Sequence, residues 1–494
     1  MIKRNYLVLL ILFCFALMYA LISIVNHFCI RTCALDLGMF NQALYNFSIG
    51  NNAIYTLDLS GNNSPFLSTH FSPLIILFSP FRYIFGSSTL LIIQILFVLF
   101  GSIGVYKLAL QHYKMDRNHV LILMIHFLSI WGISSALSFD FHMNVIGSML
   151  IPWYVYYLKS NIKLSFLFLF LILSSIETFG IFLFFIILVY IIKDRLFQFN
   201  KNYLVYLQLI ICFVYVVLIV LYIMPNIQQS ATNLQFNRYD LIGHSPTEMI
   251  QFIFSEPVQF FKIFFGNPIE STYDGIKLET ILMILFSGGI SLIYRPVFLI
   301  ALLPILAIKF LSKDYVLWGI NNQYSIELVP ILSFMVIDLV VRLPKRKIVF
   351  IWLLLFTTVF GTFLTMHTRK SKWYNELNNN IFTSEHYNSQ FQYSKLHFLF
   401  KKIDENEIVS SISNFIPHLA FRQKIYHFPV VNDATTIILT KKEGFSYPLT
   451  QDEYNNEIKK LKSDSTFRIA YSDKTLIIFK RKKGNESDSD VKHK

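Results

Sequence analysis

Long apolar runs separated by short basic turns make up the first three quarters of the chain. The first run is 6–25 and the last is 348–366. About 20 consecutive apolar residues suffice for one helical crossing of a bilayer, and lipid forces backbone groups to bond within their own helix. The pattern predicts an all-α polytopic membrane protein with about eleven transmembrane helices. The predicted spans are 6–25, 89–110, 119–135, 145–158, 164–174, 179–192, 203–224, 278–294, 297–311, 326–341 and 348–366.

The segment after the first run has the pattern of a short amphipathic helix. Leu37, Phe40, Leu44 and Phe47 recur at spacings of three and four, which places them on one helical stripe. A helix of this length is too short to span, so we expect it to lie along the membrane surface. Asp36, at its beginning, would then stand at the boundary between water and lipid. In the alternative interpretation, Asp36 is only the N-cap of this helix.

The apolar pattern ends near residue 366, and a more polar region follows. The segments 409–412 and 435–439 resemble strands, 451–461 is rich in helix formers, and 466–479 has the pattern of a hairpin. We therefore predict a transmembrane domain at 1–366 with outer-face loops 26–88 and 225–277. A small extracytoplasmic α/β domain at 367–480 and a disordered, charged tail at 481–494 would follow.

Composition agrees with a membrane protein and excludes a soluble one. Of the 494 residues, 54% are hydrophobic, 15% are charged and 50 are Phe. The formal net charge of +13 is distributed over short turns, without the basic and aromatic interleaving of a nucleic-acid interface. Positive turns face the cytoplasm, so the N-terminus is predicted to be cytoplasmic. These turns contain Lys114, Arg117, Lys159, Lys163, Lys193, Arg195, Lys201, Arg295, Arg342, Lys345, Arg346 and Lys347.

The same topology gathers most of the chemically capable residues in loops of the opposite face. A carboxylate at the membrane boundary, such as Asp36, can accept a proton from a hydroxyl or bind a cation. A histidine or arginine beside it can contact a phosphate. An ionisable side chain near a bilayer is energetically costly, so we expect it to pair with another group or to have a function. The candidates in these loops are Asp36, His70, Asp140, His142, Glu177, Arg238 and Tyr324.

Each candidate also has a plain structural interpretation. His70 would cap a short helix, and Asp140 and His142 would be solvated turn residues. Arg238 would be a solvated loop charge, and Tyr324 an interfacial aromatic. Glu177 would be an ordinary residue of a hairpin bend. The sequence leaves these alternatives open.

Several of these segments, in their order and spacing, resemble a known superfamily. The chain resembles the GT-C glycosyltransferases, multi-spanning enzymes that use polyprenyl-phosphate-linked sugars. Within it, the chain is similar to a bacterial family of predicted membrane proteins with a domain of unknown function. The resemblance spans roughly residues 30 to 440. The matching segments are Asp36–Leu44, His70–Pro73, Asp140–His142, Ile176-Glu177, Tyr324 with Pro330, and Pro417–Leu419 with Arg422 and Pro429.

The resemblance implies that Asp36 is the catalytic base of a transferase acting on an envelope glycan, lipid or protein. The donor would be a polyprenyl-phosphate sugar, and a divalent cation such as Mg or Mn is an optional cofactor. A lipid or solute transporter and a non-catalytic envelope scaffold are the alternative functions.

Residues assigned to substrate or phosphate are His70, His142, Arg238, Tyr324, His418 and Arg422. The pocket carboxylates are Asp140 and Glu177, and the metal candidates are Asp36, Asp140 and His142. His418 and Arg422 can equally be residues that stabilise the outer domain.

Overall fold

Helices form most of the chain in the computed structural model, which describes residues 6–228, 234–343, 347–371 and 375–482. Most of the predicted tail, residues 483–494, lies outside this range. The α-helices of the first 310 residues are Tyr6–Phe28, Met39–Ser48, Phe66–Thr69, Arg82–Phe85, Thr89–Lys107, Arg117–Ser129, Trp131–Leu137, Met143–Ser160, Ile162–Leu173, Phe179–Lys193, Phe199–Leu218, Met224–Gln228, Pro246–Ser255, Pro257–Phe265, Ile276–Phe286 and Leu299–Phe310. Those that follow are Tyr315–Trp318, Leu328–Arg342, Lys347–His367, Glu376–Asn379, Tyr393–Lys401, Ile416–Leu419 and Gln451–Ser463.

Tighter and wider helical turns interrupt or extend these helices. The π-helical turns are Ala34–Gly38, Leu108–His112 and Ile219–Ile223. The 3₁₀ segments are Pro73–Phe81, Gly86–Ser88, Leu234–Tyr239, Ser271–Tyr273, Gly289–Ile293, Pro296–Phe298 and Ser384–Tyr387.

In the described part of the chain, four helical segments are long and apolar enough to cross a membrane. A fifth is obtained if the bent pair Arg117–Ser129 and Trp131–Leu137 counts as one span. The four segments are Tyr6–Phe28, Pro73–His112, Phe199–Ile227 and Ile348–His367. Ile162–Leu173, Phe179–Lys193 and Pro296–Phe310 are shorter apolar helices. The polytopic helical class is therefore present, while the count of eleven spans stays a prediction.

Two helical regions are broken at identifiable residues. In the loop 225–277, Glu256 separates two successive helices, Pro246–Ser255 and Pro257–Phe265, because Pro257 disfavours helical backbone in the residue before it. In the predicted span 278–294 the α-helix ends at Phe286, because Gly288 adopts a φ of +108°, which is incompatible with a continuing helix. A 3₁₀ turn, Gly289–Ile293, follows.

The chain divides into two compact units. The first comprises Met1–Asn26, Leu67–Ile75 and Leu91–Tyr387, and we call it the helical unit. The second comprises His27–Phe66, Ile76–Leu90 and Asn388–Lys494, and we call it the mixed unit. Residues 388–480 of the predicted domain thus share a unit with two segments from the first 90 residues, whereas residues 367–387 belong to the helical unit.

A charged network in the helical unit joins turns that the sequence assigns to one face. Lys193 pairs with Asp338 at 3.0 Å, and Arg295 also pairs with Asp338. Lys159 pairs with Asp194, and Arg342 lies 3.8 Å from Asp338. Basic residues from four of the predicted positive turns therefore meet around two carboxylates, which neutralise part of their mutual repulsion.

The mixed unit contains a five-stranded sheet. Its strands are β3 (Val409–Ser411), β4 (Ile425–His427), β5 (Thr436–Thr440), β6 (Phe467–Ser472) and β7 (Leu476–Arg481), in the spatial order β4-β3-β5-β7-β6. β3 is parallel to both neighbours, and β7 is antiparallel to β5 and β6. A two-stranded ribbon, β1 (Ile54–Tyr55) with β2 (Ser64–Pro65), lies earlier in the chain. The predicted strands, hairpin and helix of this region are confirmed; β4 was not predicted.

The helix Met39–Ser48 is buried in the mixed unit on its polar side as well as its apolar side. Asn41 is 0% exposed and donates to the carbonyl oxygens of Ser87 and Pro417, both at 3.0 Å. Gln42, 1% exposed, donates to Thr56 Oγ1 at 2.7 Å and to the Gln423 carbonyl at 3.0 Å. The expected amphipathic helix is present, but its polar side chains donate hydrogen bonds to the C-terminal segment instead of facing water. The apolar spacing alone could not distinguish these two environments.

Candidate functional site

Asp36 lies in the π-helical turn Ala34–Gly38, which runs directly into the helix Met39–Ser48. The turn begins at a hydrogen bond of 3.1 Å from the Ala34 amide to Ser413 Oγ. At its other end, a Cβ atom on Gly38 would be 2.7 Å from Cγ2 of Ile416. Wide π-helical turns are rare and are frequently found at functional sites. This turn is held by two residues of the C-terminal segment, so the position of Asp36 depends on both.

The electrostatic setting of Asp36 favours its neutral form. Asp36 is half-buried, and burial raises the pKa of its carboxyl group to about 7, because desolvation disfavours the charged state. Burial raises the pKa of Tyr55, and the nearby Asp58 and Asp36 side chains add to that rise. A carboxyl group with a pKa near the working pH exchanges a proton readily in both directions.

Glu177, His70 and Arg238 interact within the helical unit. Glu177 is buried in the bend between two apolar helices, and its Oε2 accepts a hydrogen bond of 3.1 Å from the Phe71 amide. Burial lowers the pKa of His70. The negative charge of Glu177 opposes this shift and raises that pKa, whereas the positive charge of Arg238 lowers it further. The Leu74 amide donates to the Ser174 carbonyl at 2.9 Å, which fixes the same two chain segments together. The structure therefore brings together three residues that are distant in sequence.

The loop holding Asp140 and His142 is clamped by one side chain. Gln94, fully buried, donates to the Asp140 carbonyl at 3.0 Å and accepts from the His142 amide at 3.0 Å. Asp140 has a φ of +54°, a region that non-glycine residues seldom adopt. The His142 ring stacks on Phe139 with centroids 5.5 Å apart. Burial, and secondarily His70, lower the pKa of His142 to about 3, so its imidazole is neutral at pH 7.

Tyr324 belongs to a loop that a buried lysine organises. Lys309, 3% exposed, donates to the carbonyl oxygens of Gly319 at 3.0 Å and Tyr324 at 2.7 Å. Close by in sequence, Glu327 is buried, and its Oε1 accepts a hydrogen bond of 2.6 Å from Asn144 Nδ2. This last bond joins the Tyr324 loop to the helix that begins just after His142.

The remaining candidates lie in the mixed unit and contact its own chain. Arg422 is 4% exposed and donates to the carbonyl oxygens of Leu419 at 2.5 Å, Glu407 at 2.8 Å and Asp404 at 3.2 Å. Burial lowers its pKa to about 10. His418 stacks on His27 with centroids 3.9 Å apart. Burial, with His27 and His397, lowers the pKa of His418 well below its usual range.

The possible metal ligands do not assemble into a site. Among the described residues, no three His, Cys, Asp or Glu side chains are grouped so that they could hold a metal ion. Asp36, Asp140 and His142 are therefore not members of a three-residue metal-binding group within the described part of the chain.

Sequence reasoning missed the residues that position these loops. Gln94, Lys309 and Glu327 were not singled out. Each was visible as an isolated polar residue within or directly beside an apolar run, the placement that membrane segments tolerate only for a partnered group. A search for such isolated polar residues would have found all three.

Comparisons with known proteins give a family and distant similarities to solved structures. The family described as "Predicted membrane protein (DUF2079)" matches residues 26–476. No curated protein sequence is similar to this chain. A crystal structure of ArnT from Cupriavidus metallidurans, bound to undecaprenyl phosphate, aligns with a TM-score of 0.49 at 10% identity. The alignment covers 94% of this chain and 97% of that chain. At this similarity, neither a residue role nor a substrate transfers from that protein to this one.

Proposed function

This chain belongs to the family described as "Predicted membrane protein (DUF2079)", and on that premise we propose that it is a membrane glycosyltransferase of the GT-C type. It moves a sugar from a polyprenyl-phosphate donor to an envelope glycan, lipid or protein on the extracytoplasmic face of a bacterial inner membrane. Family membership supplies the membrane setting. The reaction is proposed from the chemistry of Asp36 and of the helical-unit residues.

The observation that carries the proposal is the placement of Asp36. It lies in a π-helical turn soon after the first apolar helix ends at Phe28, and burial raises its pKa to about 7. Such a carboxylate accepts the proton of the acceptor hydroxyl as that oxygen attacks the anomeric carbon. The bond between the anomeric carbon and the phosphate oxygen breaks, and the polyprenyl phosphate leaves with the bonding pair.

The helical unit supplies candidate contacts for the donor phosphate. Arg238 carries a permanent charge and a planar fork suited to a phosphate. The pKa values of His70 and His142 are lowered, so at pH 7 these rings act as neutral hydrogen-bonding groups. In this proposal Arg238 provides the charge, His70 and His142 orient the phosphate, and Asp140, Glu177 and Tyr324 shape the pocket. Because the leaving group is already a phosphate ester, positioning and charge stabilisation determine the rate.

Comparing the envelope glycans of cells with and without the protein tests the transferase. Mass spectrometry of membrane extracts should show one glycan, lipid or protein conjugate that loses a sugar on deletion. Wild type should restore it, and Asp36→Asn should not. Asp58→Asn is the matched control, because Asp58 belongs to the same unit and also raises the pKa of Tyr55. An unchanged glycan profile with altered uptake would favour a transporter, and a silent Asp36→Asn would favour a scaffold.

A further inference from the structure

Arg82 is a buried cation held by aromatic rings and hydroxyl groups. Only 9% of it is exposed. Its guanidinium carbon lies 4.1 Å from the Tyr83 ring centroid, 4.8 Å from that of Tyr45 and 5.6 Å from that of Phe421. Nε donates to Ser48 Oγ, and Nη2 donates to the Tyr83 hydroxyl at 3.0 Å. All these residues belong to the mixed unit.

No carboxylate neutralises this cation in the part of the chain that the structure describes. The ion pairs of the described residues do not include Arg82. Its described hydrogen bonds use Nε and Nη2 only. Nη1 is not among the buried side-chain atoms that lack a hydrogen-bond partner, so this unbonded nitrogen is accessible from outside. Burying an arginine without a counter-charge is costly, and cation–π contacts offset only part of that cost. The site can therefore take an anion at Nη1.

The side chains around Arg82 indicate where that anion comes from. The segment Ile76–Phe85, which we call the interfacial segment, ends where Gly86 adopts a φ of +57°. Its outward side chains are large and apolar: Ile84 is 70% exposed, Tyr83 67% and Leu77 61%. Apolar and aromatic side chains exposed beside a basic residue are typical of a segment lying in the headgroup region of a bilayer. Ile76, Phe81 and Phe85 are exposed in the same segment.

We infer that Arg82 binds the phosphate of an anionic membrane phospholipid where the interfacial segment enters the bilayer surface. The aromatic cage holds the guanidinium in place, Nη1 donates to a phosphate oxygen, and the exposed apolar side chains lie against the acyl chains. This lipid is distinct from the sugar donor, so the inference does not depend on the transferase activity.

Native mass spectrometry of the detergent-solubilised full-length protein tests this inference. Wild type should retain phosphatidylglycerol in preference to phosphatidylcholine with the same acyl chains. Arg82→Gln should weaken that retention about tenfold, the loss expected for one charge-assisted hydrogen bond. Arg82→Lys should fall between them, since it keeps the charge and loses the fork. Arg481→Gln is the matched control: Arg481 also lies over a ring, 4.8 Å from Phe467, but outside the interfacial segment.

Three results would overturn the inference. Arg82→Gln could retain phosphatidylglycerol as well as wild type does. Undecaprenyl phosphate could displace it from wild type at equal concentration, which would assign the site to the polyprenyl lipid. Inorganic phosphate could displace it equally well, which would assign the site to a soluble anion. The lipid preference of wild type is measured without any variant, so a misfolded Arg82→Gln protein would not leave the question open.

Discussion

Gly38 lies so close to Ile416 that a Cβ atom on the glycine would be 2.7 Å from the isoleucine Cγ2. The two residues are far apart in sequence, and their contact joins the Asp36 turn to a short C-terminal helix. Gly38→Ala should destabilise the mixed unit by about 1–3 kcal/mol, because the close-packed partner must move. The measurement is the change in unfolding midpoint of the solubilised protein. In an Ile416→Ala background the penalty should shrink; an equal penalty in both backgrounds would show that this contact is not the cause.

Asp36→Asn should abolish most sugar transfer. Removing a general base typically costs about 10²- to 10⁴-fold in rate, and asparagine cannot accept the proton. For wild type, the rate should rise with pH through about 7, where the carboxyl group loses its proton. The residual rate of Asp36→Asn should lack that rise. A wild-type profile that is flat between pH 6 and pH 8 would contradict the assignment of Asp36 as base.

The same group makes the stability of the fold depend on pH. The pKa of Asp36 is raised in the folded protein, so between its unfolded value of about 3.9 and about 7 the folded state binds more protons. The contribution of Asp36 to stability is therefore fully present below the unfolded pKa and is lost as pH rises through about 7. Relative to wild type, Asp36→Asn should be more stable at pH 8 than at pH 5. Equal differences at both pH values would show that Asp36 is not desolvated.

Arg238→Gln should weaken binding of the lipid-phosphate donor. Losing one charged hydrogen-bond donor to a phosphate costs about 1.5–3 kcal/mol, or about 10- to 100-fold in affinity. Lys313→Gln is a suitable control, because the Lys313 side chain pairs with Asp240 while its amide bonds the Arg238 carbonyl. Donor binding by purified protein, followed by isothermal titration, gives the comparison. Equal weakening by both changes would indicate a loop effect instead of a phosphate contact.

Gln94→Leu should release the loop that holds His142. The change deletes both hydrogen bonds that the Gln94 amide makes to the loop. Removing one partner of a buried hydrogen bond typically lowers the free energy of unfolding by about 1–3 kcal/mol. Gln208→Leu is the matched control. Gln208 is equally buried but bonds Tyr154 and Ser165 instead. Faster hydrogen exchange at residues 138–144 in Gln94→Leu alone would confirm the clamp, and identical exchange in both variants would contradict it.

Arg422→Lys should lower stability without changing the apparent KM for the donor. The guanidinium of Arg422 is committed to three backbone carbonyl oxygens, and a lysine cannot reach all three with one ammonium group. Unfolding midpoint and donor KM, measured on the same preparation, separate the two roles that the sequence left open. A raised KM at unchanged stability would restore the substrate role for Arg422.

Sequence patterns predicted what depends on local spacing. The polytopic helical class, the C-terminal strands, the helix after Thr450 and the membership in a family of predicted membrane proteins are confirmed. Apolar periodicity reports that one side of a helix is buried, but it does not reveal what covers the other side. For that reason the burial of Asn41 and Gln42 was not foreseen. The catalytic and phosphate-binding roles stay predictions, because they depend on how distant loops meet.

Bonds between the two ends of the mixed unit decide when this protein can finish folding. The Asp36 turn and the helix after it are synthesised early, yet Asn41 and Gln42 bond carbonyl oxygens near residue 420. On a ribosome adding about 5–20 residues per second, that helix waits many seconds before its bonds to the C-terminal segment can form. Truncating the chain from its C-terminal end would therefore remove the residues that hold the turn around Asp36 in place, although they lie hundreds of positions away in the sequence.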